Sequence, residues 1–285
     1  MLDTTVIIIG AMKSGTTSLF YYLSEHPEIC ASREKELHFF SDDRRYEQGL
    51  DWYWAMWSPK PEHHIGLEAS PTYTMRPSRP QVPERIAQVP GMKFKFIYIA
   101  RHPLQRFESH IRHEISRHQL QGEAVQELLA SDEPILYTQY ATQLDPYVQL
   151  FGREALQVMV LEDLVANPQA ELAKVCTFLG IDAGYSFQNV DVVRNSKDTL
   201  NLHPWIGQIR HLPGIKTMVE WVSPRSRQEL RKWLARKDPI EFQLSAAQSE
   251  RIVARLGPDL EKFRQDYGVD VEAKWGIPLP SQTLG

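Results

Sequence analysis

The apolar run Val6-Ile7-Ile8-Ile9 is closed by Gly10, followed by the polar loop Ala11-Met12-Lys13-Ser14-Gly15, and continued by Thr16-Thr17-Ser18-Leu19. No other segment constrains the fold as much. Four consecutive β-branched residues suit a strand buried on both faces, and such strands belong to parallel sheets. A glycine-bounded loop that feeds a helix, here over about Thr17 to Leu23, gathers free N–H groups and the positive end of a helix dipole at one point. That is an anion site. Lys13 adds a full charge to it, Ser14 and Gly15 add backbone donors, and Thr16, Thr17 and Ser18 add hydroxyls.

Other strands follow the same pattern. His64 to Glu68, Phe94-Lys95-Phe96-Ile97-Tyr98-Ile99-Ala100 and Leu156 to Leu161 read as strands, each separated from the next by helical stretches. The expected architecture is α/β, a central parallel sheet flanked by helices. Pro103 fits the first turn of a helix after the third strand, where a missing N–H costs little. A helix over about Pro168 to Leu179 should stop at Gly180. Residues 184–224 read as a loop-rich cover, and residues 225–285 as a helical segment centred on Ser245 to Tyr267, with Pro258 restarting a helix and Gly268 ending it. With no linker or repeat, 1–285 reads as one domain. Tyr140, Leu144, Tyr147, Val148 and Phe151 form a helical stripe expected in the core.

The loop is close to the nucleoside-triphosphatase pattern G-x-x-x-x-G-K-[ST], with one departure. Thr16 stands where that pattern has lysine, and the lysine has moved back to Lys13. A 5′-phosphate can sit in such a loop, which lacks the usual cation for a γ-phosphate. Arg101 follows the strand 94–100, where ligands bind in open α/β sheets, and its fork of donors suits phosphate. Ser109 lies about two helical turns further on.

A formal charge of -4 over 285 residues gives no basic field, which argues against nucleic acid as a partner. Two cysteines, Cys30 and Cys176, are too few for a disulfide framework and suit a reducing compartment. The start of the chain has neither a basic leader with a long apolar stretch nor an apolar span of about 20 residues. The expectation is a soluble, cytoplasmic protein with no integral membrane segment.

Taken together, the sequence resembles the sulfotransferase family, especially the branch with the heparan sulfate N- and 3-O-sulfotransferases. Gly10 to Leu19 is similar to its 5′-phosphosulfate loop, and Ile97 to Pro103 with Ser109 to its 3′-phosphate motif. Lys35-Glu36-Leu37-His38-Phe39-Phe40 is similar to a K-E-x-H-F-F segment. Leu161-Glu162-Asp163-Leu164, Asn167-Pro168 and Phe178-Leu179-Gly180 match a further shared pattern. The resemblance implies a P-loop-like sulfotransferase fold. It also implies metal-free transfer of a sulfuryl group from 3′-phosphoadenosine 5′-phosphosulfate to a hydroxyl, ahead of an amine, of a small-molecule, glycolipid or carbohydrate acceptor. Lys13 would meet the bridging or 5′-phosphate oxygens, Arg101 and Ser109 would hold the 3′-phosphate, and Arg194 and Lys197 would belong to a basic loop over the nucleotide. Glu36 would be the catalytic base with His38 beside it. In Leu67-Glu68-Ala69-Ser70-Pro71-Thr72-Tyr73, similar to a family E-K-T-P-x-Y element, Ala69 replaces the lysine.

Alternatives stand beside these roles. Glu36 can be a surface glutamate of the charged run Arg33-Glu34-Lys35-Glu36, and His38 a core-edge histidine bonded to backbone. Trp52, Tyr53, Trp54 and Trp57 suit packing, an acceptor pocket or a stack on adenine. His110 and His113 are three apart on a helix and read as a solvated face rather than a metal pair. A P-loop kinase or nucleotide hydrolase would need magnesium and a triphosphate, and a non-catalytic nucleotide-binding protein would be expected to have lost one of Lys13, Arg101 and Glu36.

Overall fold

The structure is a computed structural model that describes residues 2–188, 190 and 242–279. The chain divides into two compact units, one of residues 1–187 and 242–285 and one of residues 188–241. The second lies almost wholly outside the described residues, and with it most of the 184–224 stretch, Arg194 and Lys197.

Five strands build the first unit: β1 (Thr4–Gly10), β2 (Ile29–Ala31), β3 (Ile65–Ala69), β4 (Lys93–Ala100) and β5 (Leu156–Val160). Every pairing is parallel, in the order β2-β3-β1-β4-β5. Parallel neighbours demand crossovers, and helices supply them on the way from strand to strand. Val6, Ile7, Ile8 and Ile9 are all completely buried, as a strand covered on both faces requires, and each stabilises the fold by about 1.5–3 kcal/mol. In register, Ile7 lies beside Glu68 and Ile8 beside both Ala69 and Ile97. All five strands thus point their carboxyl ends the same way, and the loops that leave those ends share one edge of the sheet.

Helix Thr16–Leu23 follows β1 and helix Pro103–His118 follows β4, with Pro103 in its first turn. Helix Pro168–Leu179 ends on Gly180 at φ 81°, the left-handed cap that glycine adopts freely. Tyr140, Leu144 and Tyr147 of helix Tyr140–Phe151 are buried, while Val148 and Phe151 are only partly covered.

Three expectations need correction. Pro258 does not restart a helix, because Ala246–Tyr267 runs unbroken through it to Gly268. A proline inside a helix costs about 3 kcal/mol, but Ile252, Leu256, Leu260 and Phe263 are buried on either side of it. Asp259 pins the same turn by accepting hydrogen bonds from the Ala141 and Thr142 N–H groups at 3.1 and 2.8 Å. Leu161 opens helix Leu161–Ala166 instead of closing β5. His110 is not on a solvated face: it is 3% exposed, its ring 5.8 Å from that of Tyr137. Burial, with the Arg106 charge second, pushes its pKa down to about 3.

Candidate active site

The loop leaving β1 is shaped for close approach. Lys13 has φ 71° and Gly15 φ 88°, both left-handed, which turns successive N–H groups toward one side. A Cβ on Gly15 would lie 2.7 Å from Leu161 Cδ1, so glycine is required there for space as well as for conformation. Helix Thr16–Leu23 has no side-chain cap, and the first N–H groups of a helix have no partner within it. Ser14 is completely buried, and its Oγ has no hydrogen-bond partner among the described residues. Buried hydroxyls are nearly always satisfied, so this loop offers donors to a ligand. Thr16 is buried, Ser18 half-buried and Thr17 exposed.

Arg101 comes from the neighbouring strand end. Its Nη1 donates to the Lys13 carbonyl at 3.2 Å and its Nη2 to Gln105 Oε1 at 3.2 Å, while its own carbonyl accepts from Tyr140 Oη at 2.6 Å. Burial lowers the Lys13 pKa, and the nearby Arg101 charge lowers it further, with Glu36 opposing. Arg101 is lowered by burial too, with Arg112 adding to the effect and Glu162 opposing it. Like charges crowded in a half-buried place are what a polyanion would relieve. Ser109 is half-buried on helix Pro103–His118. Arg112, one turn beyond Ser109, is felt by both Lys13 and Arg101 and was missed in the sequence. The signal was there, since Ser109 and Arg112 are three apart and share a helix face.

Glu36 lies after β2, with φ 65°, and His38 follows at φ 51°. A non-glycine residue held in this region costs about 1–3 kcal/mol. The strain is held by hydrogen bonds to the end of β3: the Glu36 N–H donates to the Ala69 carbonyl at 2.9 Å, and the His38 N–H to Ser70 Oγ at 3.1 Å. Lys35 Nζ meets Glu36 Oε1, and His38 Nε2 lies 3.6 Å from Glu36 Oε2. Burial lowers the His38 pKa, with the Glu36 charge opposing. His38 is bonded through Nδ1 to Thr72 Oγ1 at 2.9 Å, a side-chain partner in place of the backbone one. Glu36 carries a 43%-exposed side chain, open to a substrate.

Ala69 is completely buried and, as alanine, brings no cation to the position. Beside it, Glu68 is buried and accepts from Tyr53 Oη at 2.6 Å, Tyr73 Oη at 2.7 Å and Ser70 Oγ at 2.8 Å. Burial raises its pKa against these three donors. Tyr53 thus has a polar duty as well as its packing against Phe39, 4.7 Å between rings, and Trp57, 4.9 Å.

The arrangement joins a cationic anion cradle to an exposed, braced carboxylate. The family described as sulfotransferase domain matches residues 3–199. Over 184 residues the chain is 30% identical to heparan sulfate glucosamine 3-O-sulfotransferase 3A1 of Mus musculus, covering 61% of this chain and 45% of that one. Over 196 residues it is 28% identical to heparan sulfate glucosamine 3-O-sulfotransferase 5 of Homo sapiens, covering 65% and 55%. The match thus spans only 45% to 55% of the length of these curated relatives. A solved sulfotransferase from Alicyclobacillus acidocaldarius superposes with a TM-score of 0.64 at 21% identity, covering 96% of this chain and 98% of that one, a likeness of fold.

Proposed function

Because the chain belongs to the sulfotransferase domain family, we propose that it moves a sulfuryl group from 3′-phosphoadenosine 5′-phosphosulfate to an acceptor hydroxyl, that of a carbohydrate. The observation that carries the reading is the 3.2 Å bond between Arg101 and the Lys13 carbonyl, which ties two cation-bearing strand ends into one cradle. A nucleotide with phosphate at both its 3′ and 5′ ends needs two such points. The residues fit it: the orphaned Ser14 Oγ and the uncapped helix Thr16–Leu23 suit the 5′ end, and Arg101, Ser109 and Arg112 suit the 3′-phosphate.

The donor supplies the activated sulfuryl group. For the rest, Glu36 takes the hydroxyl proton as the acceptor oxygen bonds to sulfur, a service typically worth about 10²–10⁴-fold. Lys13 holds the electron pair left on the bridging oxygen when its bond to sulfur breaks. A charge fixed in a half-buried place does this better than one in water. Lys35, against Glu36, supplies a cation at the acceptor side that Ala69 does not. The curated relatives are named for glucosamine 3-O-sulfation, which favours a sugar hydroxyl. Buried free Cys30 and Cys176 support a reducing, cytoplasmic setting.

The test is calorimetric binding of 3′-phosphoadenosine 5′-phosphate without metal, against ATP with magnesium, followed by transfer of labelled sulfate to heparan-type oligosaccharides and to a simple phenol. Tight binding of the bisphosphate with label on the sugar supports the proposal. Preference for ATP with magnesium would replace it with a kinase, and label on the phenol alone would move the acceptor to a small molecule.

A further inference from the structure

Behind Glu36 runs a short chain of hydrogen-bonding groups. Ser41 Oγ lies 2.9 Å from Thr72 Oγ1 and 3.3 Å from the His38 carbonyl. Thr72 Oγ1 lies 2.9 Å from His38 Nδ1, and His38 Nε2 is 3.6 Å from Glu36 Oε2. Ser41 is 3% exposed, so its hydroxyl depends on these neighbours.

Each hydroxyl has one proton to give, so the chain can run in two directions. In one, Ser41 donates to Thr72, Thr72 donates to Nδ1, and the neutral imidazole carries its proton on Nε2, facing Glu36. In the other, Nδ1–H donates to Thr72, Thr72 to Ser41, and Ser41 to the His38 carbonyl through its longer contact. That second direction leaves a bare Nε2 lone pair opposite a carboxylate oxygen, and an ionised carboxylate can only accept. Both directions use the 2.9 Å Ser41–Thr72 contact, but the His38 carbonyl that the second also needs already accepts from the Ser41 and Asp42 N–H groups at 3.1 and 2.9 Å, and only the first ends with a donor aimed at an acceptor.

We propose that Thr72 is a positioning residue for the transfer reaction: backed by Ser41, its hydroxyl fixes His38 as the Nε2–H tautomer that braces Glu36. The proposal rests on the reading of Glu36 as base. Lys35 then holds Oε1 and His38 steadies Oε2, so the lone pair that accepts the acceptor's proton keeps one direction. The separation of 3.6 Å exceeds a hydrogen bond, but such bonds in ligand-free sites run long and tighten when substrate is in place. Lys35, Arg45 and Asp42 also face His38. None of them is bonded to its Nδ1, which leaves Thr72 as the group that sets the ring.

The tautomer can be read without substrate, by long-range 15N–1H correlation on the 15N-histidine-labelled protein at neutral pH. With ten histidines in the chain, the His38 signals are assigned by their loss in His38→Gln. The expected spectrum has a protonated Nε2 and a bare, hydrogen-bonded Nδ1. A protonated Nδ1 with a bare Nε2 overturns the proposal. In turnover, Thr72→Val should lower kcat by about tenfold, the worth of one hydrogen bond, with the KM for donor unchanged and Thr72→Ser restoring the rate. Undiminished kcat in folded Thr72→Val also overturns it. Should that variant not fold, the wild-type spectrum still decides. The sulfuryl-transfer reading fails separately, in the binding and labelling assays above.

Discussion

Arg101 donates through Nη1 to the main-chain carbonyl of Lys13 at 3.2 Å, so the guanidinium is already oriented before any ligand arrives. Its remaining N–H groups are therefore directed, and loss of the side chain should be felt specifically. Arg101→Ala should weaken binding of 3′-phosphoadenosine 5′-phosphate by roughly 10- to 100-fold, the worth of a charged hydrogen bond. Binding of AMP, which lacks the 3′-phosphate, should change much less. Equal losses for both nucleotides in calorimetry would show that Arg101 serves the loop alone.

Glu36 stands exposed between Lys35 and His38, and its carboxylate acts on the cradle only through its charge, which Lys13 feels. Glu36→Gln should lower kcat by about 10²–10⁴-fold while leaving the affinity for 3′-phosphoadenosine 5′-phosphate as it was. Single-turnover transfer of labelled sulfate measures the first, and calorimetry the second. A rate within a factor of two of wild type would remove Glu36 from the chemistry.

Gly10 has no room for a side chain. An added Cβ would fall 2.0 Å from Thr74 Oγ1 and 2.8 Å from the buried ring of Tyr98. Thr74 Oγ1 is itself committed to the Ile9 carbonyl at 2.8 Å, so it cannot simply swing away. Gly10→Ala should cost about 1–3 kcal/mol of stability and lower the melting temperature by several degrees. An unchanged melting curve would mean that the end of β1 shifts freely.

His110 makes stability depend on pH. Its pKa is lowered from 6.5 to about 3 in the fold, so the unfolded chain takes up a proton first as the solution is acidified. Stability is therefore fully present above about pH 6.5 and is lost toward pH 3, by about 1.4 kcal/mol for each unit. His110→Phe keeps the ring beside Tyr137 and removes the titration. Urea midpoints between pH 7 and 5 should fall less steeply in the variant, and parallel slopes would contradict the assignment.

The proposed donor half of the site can be outlined from sequence because its chemistry is local. Lys13, Ser14 and Thr16 fall within four consecutive positions, and Arg101 directly follows the most strand-like run in the chain. The Thr72–His38 pair cannot be, since its members are 34 positions apart and meet only when β3 closes against the segment after β2. Strand β2 itself escaped notice because Ile29-Cys30-Ala31 is too short to display a period. His110 reads as polar in sequence, and only its packing against Tyr137 and Arg106 reveals that the helix turns it inward. Pro258 misled for a general reason: local propensity is a weak guide wherever burial on both sides outweighs it.

The strand order β2-β3-β1-β4-β5 has a consequence for how such a catalyst can diversify. Lys13 follows the central strand β1 and Arg101 follows its neighbour β4, whereas Glu36, His38 and Thr72 follow β2 and β3 on the other side, so the proposed donor and acceptor groups come from different strands. Change confined to residues 29–75, the β2–β3 side, would alter what the proposed acceptor meets while the loops after β1 and β4 stay in register. Ala69, standing in the element that is similar to a family E-K-T-P-x-Y pattern, lies on that same side of the sheet, beside Ile8 of β1.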